Sequence, residues 1–358
     1  VNRKRNHSYT GILRARLLPY LAVVGALVLV GLSIGQATGQ TVPGGFGTAV
    51  TNSTSTNMKV AAAPAGSEGS VVPDDSAEST RAVAVNSMTG KVYFANRDNN
   101  ITAIDGITKH ATRLNSGGVP IAMEVHPVTG RLYVLHRGSN DLTVLDGNTG
   151  AADTIPVGTR PVALAINPVT NKVYVANAGS QDVTVMDGDG SHAQTIKDVN
   201  AKLPWAIAVN PGSNRIYVAN RGSSNVTIID GNSGSTQTIA TGTGPVAVAV
   251  NPGTRKVYVA NAGSNDVSVI DERTGETSTI TDIEALHPVA LAVDPVSDRI
   301  YVANGHSRNV TIIGGATGSL RTVRMQDAPQ AVVLEPATAT AYVISQQSDE
   351  FVTIDGQK

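Results

Sequence analysis

Few side chains in this chain could do covalent or acid–base chemistry, and their spacing narrows the options. Cysteine is absent from all 358 residues, which removes thiolate nucleophiles, disulfides, cysteine zinc sites and iron–sulfur clusters together. The histidines never fall into an HExxH pattern, and no nucleophile elbow, P-loop or EF-hand spacing occurs. Glu124, in the run "IAMEV", is the sharpest candidate. A carboxylate on an apolar run must reach water, meet a cation or carry a raised pKa. It could serve as a general base or metal ligand, or stand as an inert solvated group. His126 and His136 lie close by in sequence but end successive strands, roughly 15 Å or more apart by strand rise, so they cannot share an ion. No metal site and no cofactor is expected.

The elements that carry these residues come from an internal repeat. Tyr93, Tyr133, Tyr174, Tyr217, Tyr258, Tyr301 and Tyr342 follow one another at intervals of 40, 41, 43, 41, 43 and 41 residues. Each unit opens with a run such as "VALAIN" (162–167), turns at Pro with Gly or Asn, and continues with "KVYVAN". A loop like "AGSND" leads to "VSVID", and a "GNTG"-type turn to a short "TIPV"-type segment. These are four short strands per unit, built from β-branched and aromatic residues and joined by turn formers. The reading is an all-β, seven-bladed β-propeller of four-stranded antiparallel blades. The last unit ends at "FVTIDGQK" with only three strands, so "SVVP" (70–73) is expected to supply the fourth and close the ring.

"VYVAN", "GSNDVSVIDE" and "PVALAINPVTNKVYVAN" resemble the YVTN-repeat β-propeller family over about Ser70 to Lys358. The resemblance implies an extracytoplasmic or surface protein of prokaryotic type, in a family most of whose members have no established reaction. Related seven-bladed folds include phosphogluconolactonase-like lactonases and streptogramin lyases.

Comparing the seven units with one another separates scaffold from site. Lys172 with Asp187, Lys256 with Asp271 and Arg215 with Asp230 are expected to face one another as cross-strand ion pairs. Asn96, Asn177, Asn220, Asn261 and Asn304 end the second strand and are expected to bond the following loop. Asp-Gly pairs at 105, 146, 187, 230 and 355 are turn chemistry. Since strands alternate in direction, the second-to-third loops and the fourth-to-next-first connections share one face. Arg97, Arg137, Arg221, His306 and Arg308 depart from the repeat on its outer loops, and Arg81, Arg160, Trp205, His287 and Gln330 nearer the axis. Asp98, Asp141, Asp182, Asp266, Asp327, Asp349 and Glu350 answer the arginines, leaving the inner set slightly basic. A small anion or acidic sugar fits that bias. Trp205 could stack on a flat ligand or simply pack between blades.

Upstream, Arg3, Lys4, Arg5, Arg14 and Arg16 precede an apolar run from Leu17 to Gly35. Residues 1–37 read as an export signal or signal anchor, and 38–69, rich in Gly, Ser, Thr and Pro, as a flexible linker. The propeller (70–358) is therefore expected outside the cytoplasm, secreted or anchored to the outer face of the membrane. A net charge of −1 with 15% charged residues gives no nucleic-acid signal. The expected function is a non-catalytic binding scaffold for a protein, glycan or cell-envelope partner. The alternative is a lactonase- or lyase-type enzyme at the channel mouth, with Glu124 and His287 as its weak catalytic candidates.

Overall fold

The computed structural model describes residues 80–358, apart from 87–88, 97–98, 106–107, 109, 148, 336–339, 346–350 and 356–358. The expected signal, linker and ring-closing strand at 70–73 lie outside the described residues, as do Arg97, Asp98, Asp349 and Glu350. Every regular element is a β-strand. Six antiparallel four-stranded sheets and a seventh of three strands follow in chain order: blade 1 (80–115), blade 2 (120–156), blade 3 (161–196), blade 4 (204–240), blade 5 (245–280), blade 6 (288–324) and blade 7 (329–355). The molecule is a seven-bladed β-propeller.

Within each blade the strands pair in sequence order, and the first strand packs beside the first strand of the next blade. The first strands therefore converge toward the axis, while the fourth strands, such as Ala152–Pro156, are largely exposed. The alternating pattern explains the core. Ala84, Ala165, Ala208, Ala249 and Ala292 pair with Tyr93, Tyr174, Tyr217, Tyr258 and Tyr301, and those five rings are fully buried. Small residues near the axis leave room for the next blade, and the rings fill the wedge farther out. Between blades 4 and 5, for example, Ala206, Ala208 and Tyr217 meet Val248, Val250 and Val257. Burying each large apolar side chain contributes roughly 1.5–3 kcal/mol, so the seams between blades carry most of the stability.

The two ends of the propeller are built differently. On the turn face, the first-to-second and third-to-fourth turns bond to each other, as in Gly231 N–H to Asn214 O at 2.8 Å and Gly315 N–H to Asp298 O at 2.7 Å. On the loop face, the second-to-third loop bonds the connection entering its own blade, as in Ala178 N–H to Arg160 O and Gly305 N–H to His287 O, both 2.9 Å.

The repeated polar residues serve the scaffold, with one correction. Lys172 Nζ meets Asp187 at 2.9 Å as expected. Lys256 and Arg215 face their aspartates in register but form no such pair. Their side chains are long enough to leave the blade, and donate instead to the next blade's turn carbonyls, Gly315 at 2.9 Å and Glu272 at 2.6 Å. Lys91 and Arg131 do the same to Gly147 and Gly188, both at 3.1 Å. The strand-ending asparagines reach the loop and the third strand at once: Asn177 donates to Asp182 and Thr184, both at 2.9 Å.

Candidate functional site

The loop face presents its departures in two ranks, both set by the backbone. Each of blades 2 to 7 begins its first strand at a proline, preceded in blades 3, 4, 5 and 6 by a residue with left-handed backbone: Arg160 (φ 51°), Leu203 (φ 51°), Gly244 (φ 61°) and His287 (φ 58°). Glycine adopts that conformation freely, whereas other residues pay about 1–2 kcal/mol. Three blades keep a side chain there regardless. The amides of Arg160 and His287 are tied to the preceding blade by Asn140 Oδ1 (2.8 Å) and Asn265 Oδ1 (2.7 Å). The second rank lies one residue past the proline, where the register slips between the first and second strands. Arg81, Trp205 and Gln330 are the bulged residues of blades 1, 4 and 7. A bulge frees a residue from its cross-strand neighbour and re-aims its side chain. Arg81's side chain lies outside the described set; Trp205 and Gln330 are half-buried and Arg160 is exposed.

Two stacked pairs stand on this framework. The Arg221 guanidinium lies over the Trp205 ring with Cζ 4.8 Å from its centroid. The His287 and His306 rings stack at 4.1 Å and 10°. In each pair the inner member is half-buried and the outer one, Arg221 or His306, is exposed. Burial pushes the His287 imidazole below its usual range, helped by His306 and Arg221 and opposed by the Ala262 backbone. His287 is thus neutral at pH 7, and Arg221 is near enough to act on it.

Of the described acids expected to balance the arginines, all but Asp327 are bonded within their own loops. Asp141 is engaged by His136 (2.6 Å) and Ser139 (2.8 Å), Asp182 by Asn177 (2.9 Å) and Ser180 (2.8 Å), and Asp266 by Asn261 (2.7 Å). Among the described residues, Arg137, Arg160, Arg221 and Arg308 form no ion pair. The face is more basic in available groups than its formal charge count.

Glu124 lies apart from this rim. It pairs with Tyr133, in the place other blades give to alanine, and points into the seam with blade 3. It keeps a fraction of its surface exposed, yet burial pushes its carboxyl up to about 8, against a weaker pull from the Ile166 backbone. No histidine or arginine of the rim acts on it, so Glu124 and His287 do not converge as a catalytic pair. His126 and His136 sit at opposite ends of blade 2. His126 Nδ1 accepts the Val128 and Thr129 amides at 3.1 and 3.3 Å, replacing the turn-capping asparagine of other blades. His136 replaces the strand-ending asparagine and bonds Asp141. Among the described residues no three His, Asp or Glu side chains gather where they could hold a metal ion.

Three carboxylates, Glu272 and Asp198 buried and Asp282 half-buried, went unmarked in the sequence. Glu272 takes the place of the recurring turn glycine and accepts Asn210 Nδ2 (2.7 Å), Tyr217 OH (2.8 Å) and the Ser213 hydroxyl, all from blade 4. Asp198 accepts Thr227 (2.9 Å) and Thr238 (2.7 Å), and Asp282 accepts Thr311 (2.8 Å) and Thr322 (3.0 Å). Both aspartates occur in the two longer connections, which enter blades 4 and 6. The 43-residue intervals were their available signal.

Fold and face together define a propeller with a basic, aromatic-bearing loop surface. Among solved structures it is similar to a streptogramin B lyase (14% identity, 80% of this chain and 95% of that one, TM-score 0.63). It is also similar to hydrazine synthase of Kuenenia stuttgartiensis (20%, 80% and 98%, TM-score 0.64) and to virginiamycin B lyase of Staphylococcus aureus (13%, 76% and 94%, TM-score 0.64). These likenesses establish the shared fold. No protein-family model matches the chain, and no curated protein does.

Proposed function

We propose that this chain is an exported propeller of the YVTN-repeat type whose loop face is a non-catalytic binding surface for an acidic partner of the cell envelope. The observation that carries the reading is the set of loop-face arginines without ion pairs among the described residues, beside loop acids already bonded within their own loops. Solvent-facing guanidinium groups attract carboxylates, phosphates and sulfates in bidentate geometry. The basic flank and apolar run of residues 1–37 support export, and the 38–69 linker would let the propeller reach outward from a membrane.

Co-sedimentation of the full chain with isolated cell-envelope material tests this. Binding should weaken steeply with salt and fall at least tenfold in an Arg137→Gln, Arg160→Gln, Arg221→Gln, Arg308→Gln variant that melts normally. Binding that ignores both salt and the four substitutions would sink the proposal. The lyase reading draws on the similar structure of a catalytically inactive S. aureus virginiamycin B lyase with quinupristin (13% identity, TM-score 0.64). Turnover of quinupristin, lost in His287→Ala, would replace binding with catalysis.

A further inference from the structure

Resting on that reading, we propose that Trp205, Arg221, His287 and His306 form one subsite for a carboxylated sugar, of the uronic-acid type, within an acidic polysaccharide. Blades 4 and 6 each raise a flat, exposed, nitrogen-bearing group backed by a half-buried ring: Arg221 on Trp205 at 4.8 Å and His306 on His287 at 4.1 Å. Blade 5, between them, presents Gly244, Ala262, Gly263 and the buried Val246 at the matching positions. Gly263 must stay small, because a Cβ there would come within 2.8 Å of Thr243 Oγ1 and 2.9 Å of its carbonyl. The low ground of blade 5 thus lies between two raised flat groups.

Arg221 Cζ lies over the indole of Trp205, and a guanidinium that stacks on a ring by its face keeps its N–H edge for a carboxylate, which it takes bidentately. No acid among the described residues occupies it. The stacked imidazoles offer a flat surface to the C–H face of a sugar ring, and their ring nitrogens can bond its hydroxyls. His287 keeps a left-handed backbone where blade 5 has glycine, so the ring is held in place against a local conformational cost. A ligand crossing from blade 4 to blade 6 therefore meets a carboxylate fork and then a stacking platform. An acidic saccharide carries both partners on one rigid ring, and an acidic peptide does not.

Calorimetry of the full chain with oligogalacturonate, a neutral glucose oligomer of equal length and polyglutamate decides the matter. Oligogalacturonate should bind at least tenfold more tightly than the other two. Arg221→Gln should weaken it tenfold or more, His306→Ala several-fold, and Arg221→Lys should fail to restore it, because a lysine keeps the charge but not the planar fork. All three substitutions are exposed, and unchanged melting curves confirm folding. Equal binding of the neutral oligomer, stronger binding of polyglutamate, or full affinity in Arg221→Lys would overturn the subsite. If oligogalacturonate fails while envelope material still binds in a salt-dependent way, the subsite falls and the loop-face reading stands. If both fail, both fall.

Discussion

Glu272 and Glu124 are the same chemistry placed in two different seams. Each replaces a small residue that recurs in the other blades, glycine for Glu272 and alanine for Glu124. Glu272 meets three side-chain donors from the neighbouring blade, whereas Glu124 meets little beyond the Ile166 backbone. One carboxylate is therefore a staple, and the other is a burden on the fold once it ionises. Burial alone does not assign a role to a charged group; the donors around it do.

The difference can be broken from the Glu272 side first. Glu272→Gly leaves Asn210, Ser213 and Tyr217 unpaired, and should cost about 3–5 kcal/mol in denaturant unfolding. A partial rescue is built into the repeat. Asn167 and Asn251 donate to Asn214 and Asp298 in the next blade's first turn, both at 2.7 Å, but blade 5 has Arg255 at that position, which cannot accept. Glu272 supplies the missing acceptor. Adding Arg255→Asn to Glu272→Gly should recover about 1–2 kcal/mol, and no recovery would show that the two changes are uncoupled.

Glu124 sharpens the contrast through pH. Its folded pKa of about 8 lies above the usual value of 4.5, so the folded state holds a proton that the unfolded state releases. The stability this confers is fully present below about 4.5 and is lost as pH rises through 8, at about 1.4 kcal/mol for each unit of pKa difference. Glu124→Ala, which restores the repeat, should flatten the decline in unfolding free energy between pH 5 and 8.5 and leave the variant more stable at the upper end. Parallel pH curves for the two proteins would refute the raised pKa.

Smaller effects follow for the remaining acids. Asp198→Ala orphans the Thr227 and Thr238 hydroxyls and should cost about 1–3 kcal/mol. Lys172→Ala breaks an ion pair about one-third exposed on each side (36% and 33%) and should cost under about 1 kcal/mol by the same unfolding assay.

The repeat made the scaffold legible, because a residue present in most blades reveals its register without a structure. Glu124 could be found on the same ground, as a departure on an aligned inner strand. Glu272 could not, since a glutamate in a turn reads as exposed; its signal was the coupled change at Arg255. Lys256 and Arg215 were misassigned because register fixes where a Cα lies, and a long side chain can pass its cross-strand partner for a better carbonyl one blade away. Spacing places Trp205 and His287 at the blade entrances, where they lie in the structure, which adds their partners. Arg221 and His306 lie on second-to-third loops, and their stacking depends on how those loops fold back onto the blade entrance, which spacing does not encode.

Six side-chain bonds between blades on the turn face run the same way among the described residues. Lys91, Arg131, Asn167, Asn210, Asn251 and Lys256 each donate from an earlier blade to a later one. A blade therefore carries a plug on one side and a socket on the other, and a tandem copy of its coding segment would arrive with both. A ring joined this way can lengthen by duplication without redesigning its joints, except beside blade 5, where plug and socket have been recut as a matched pair.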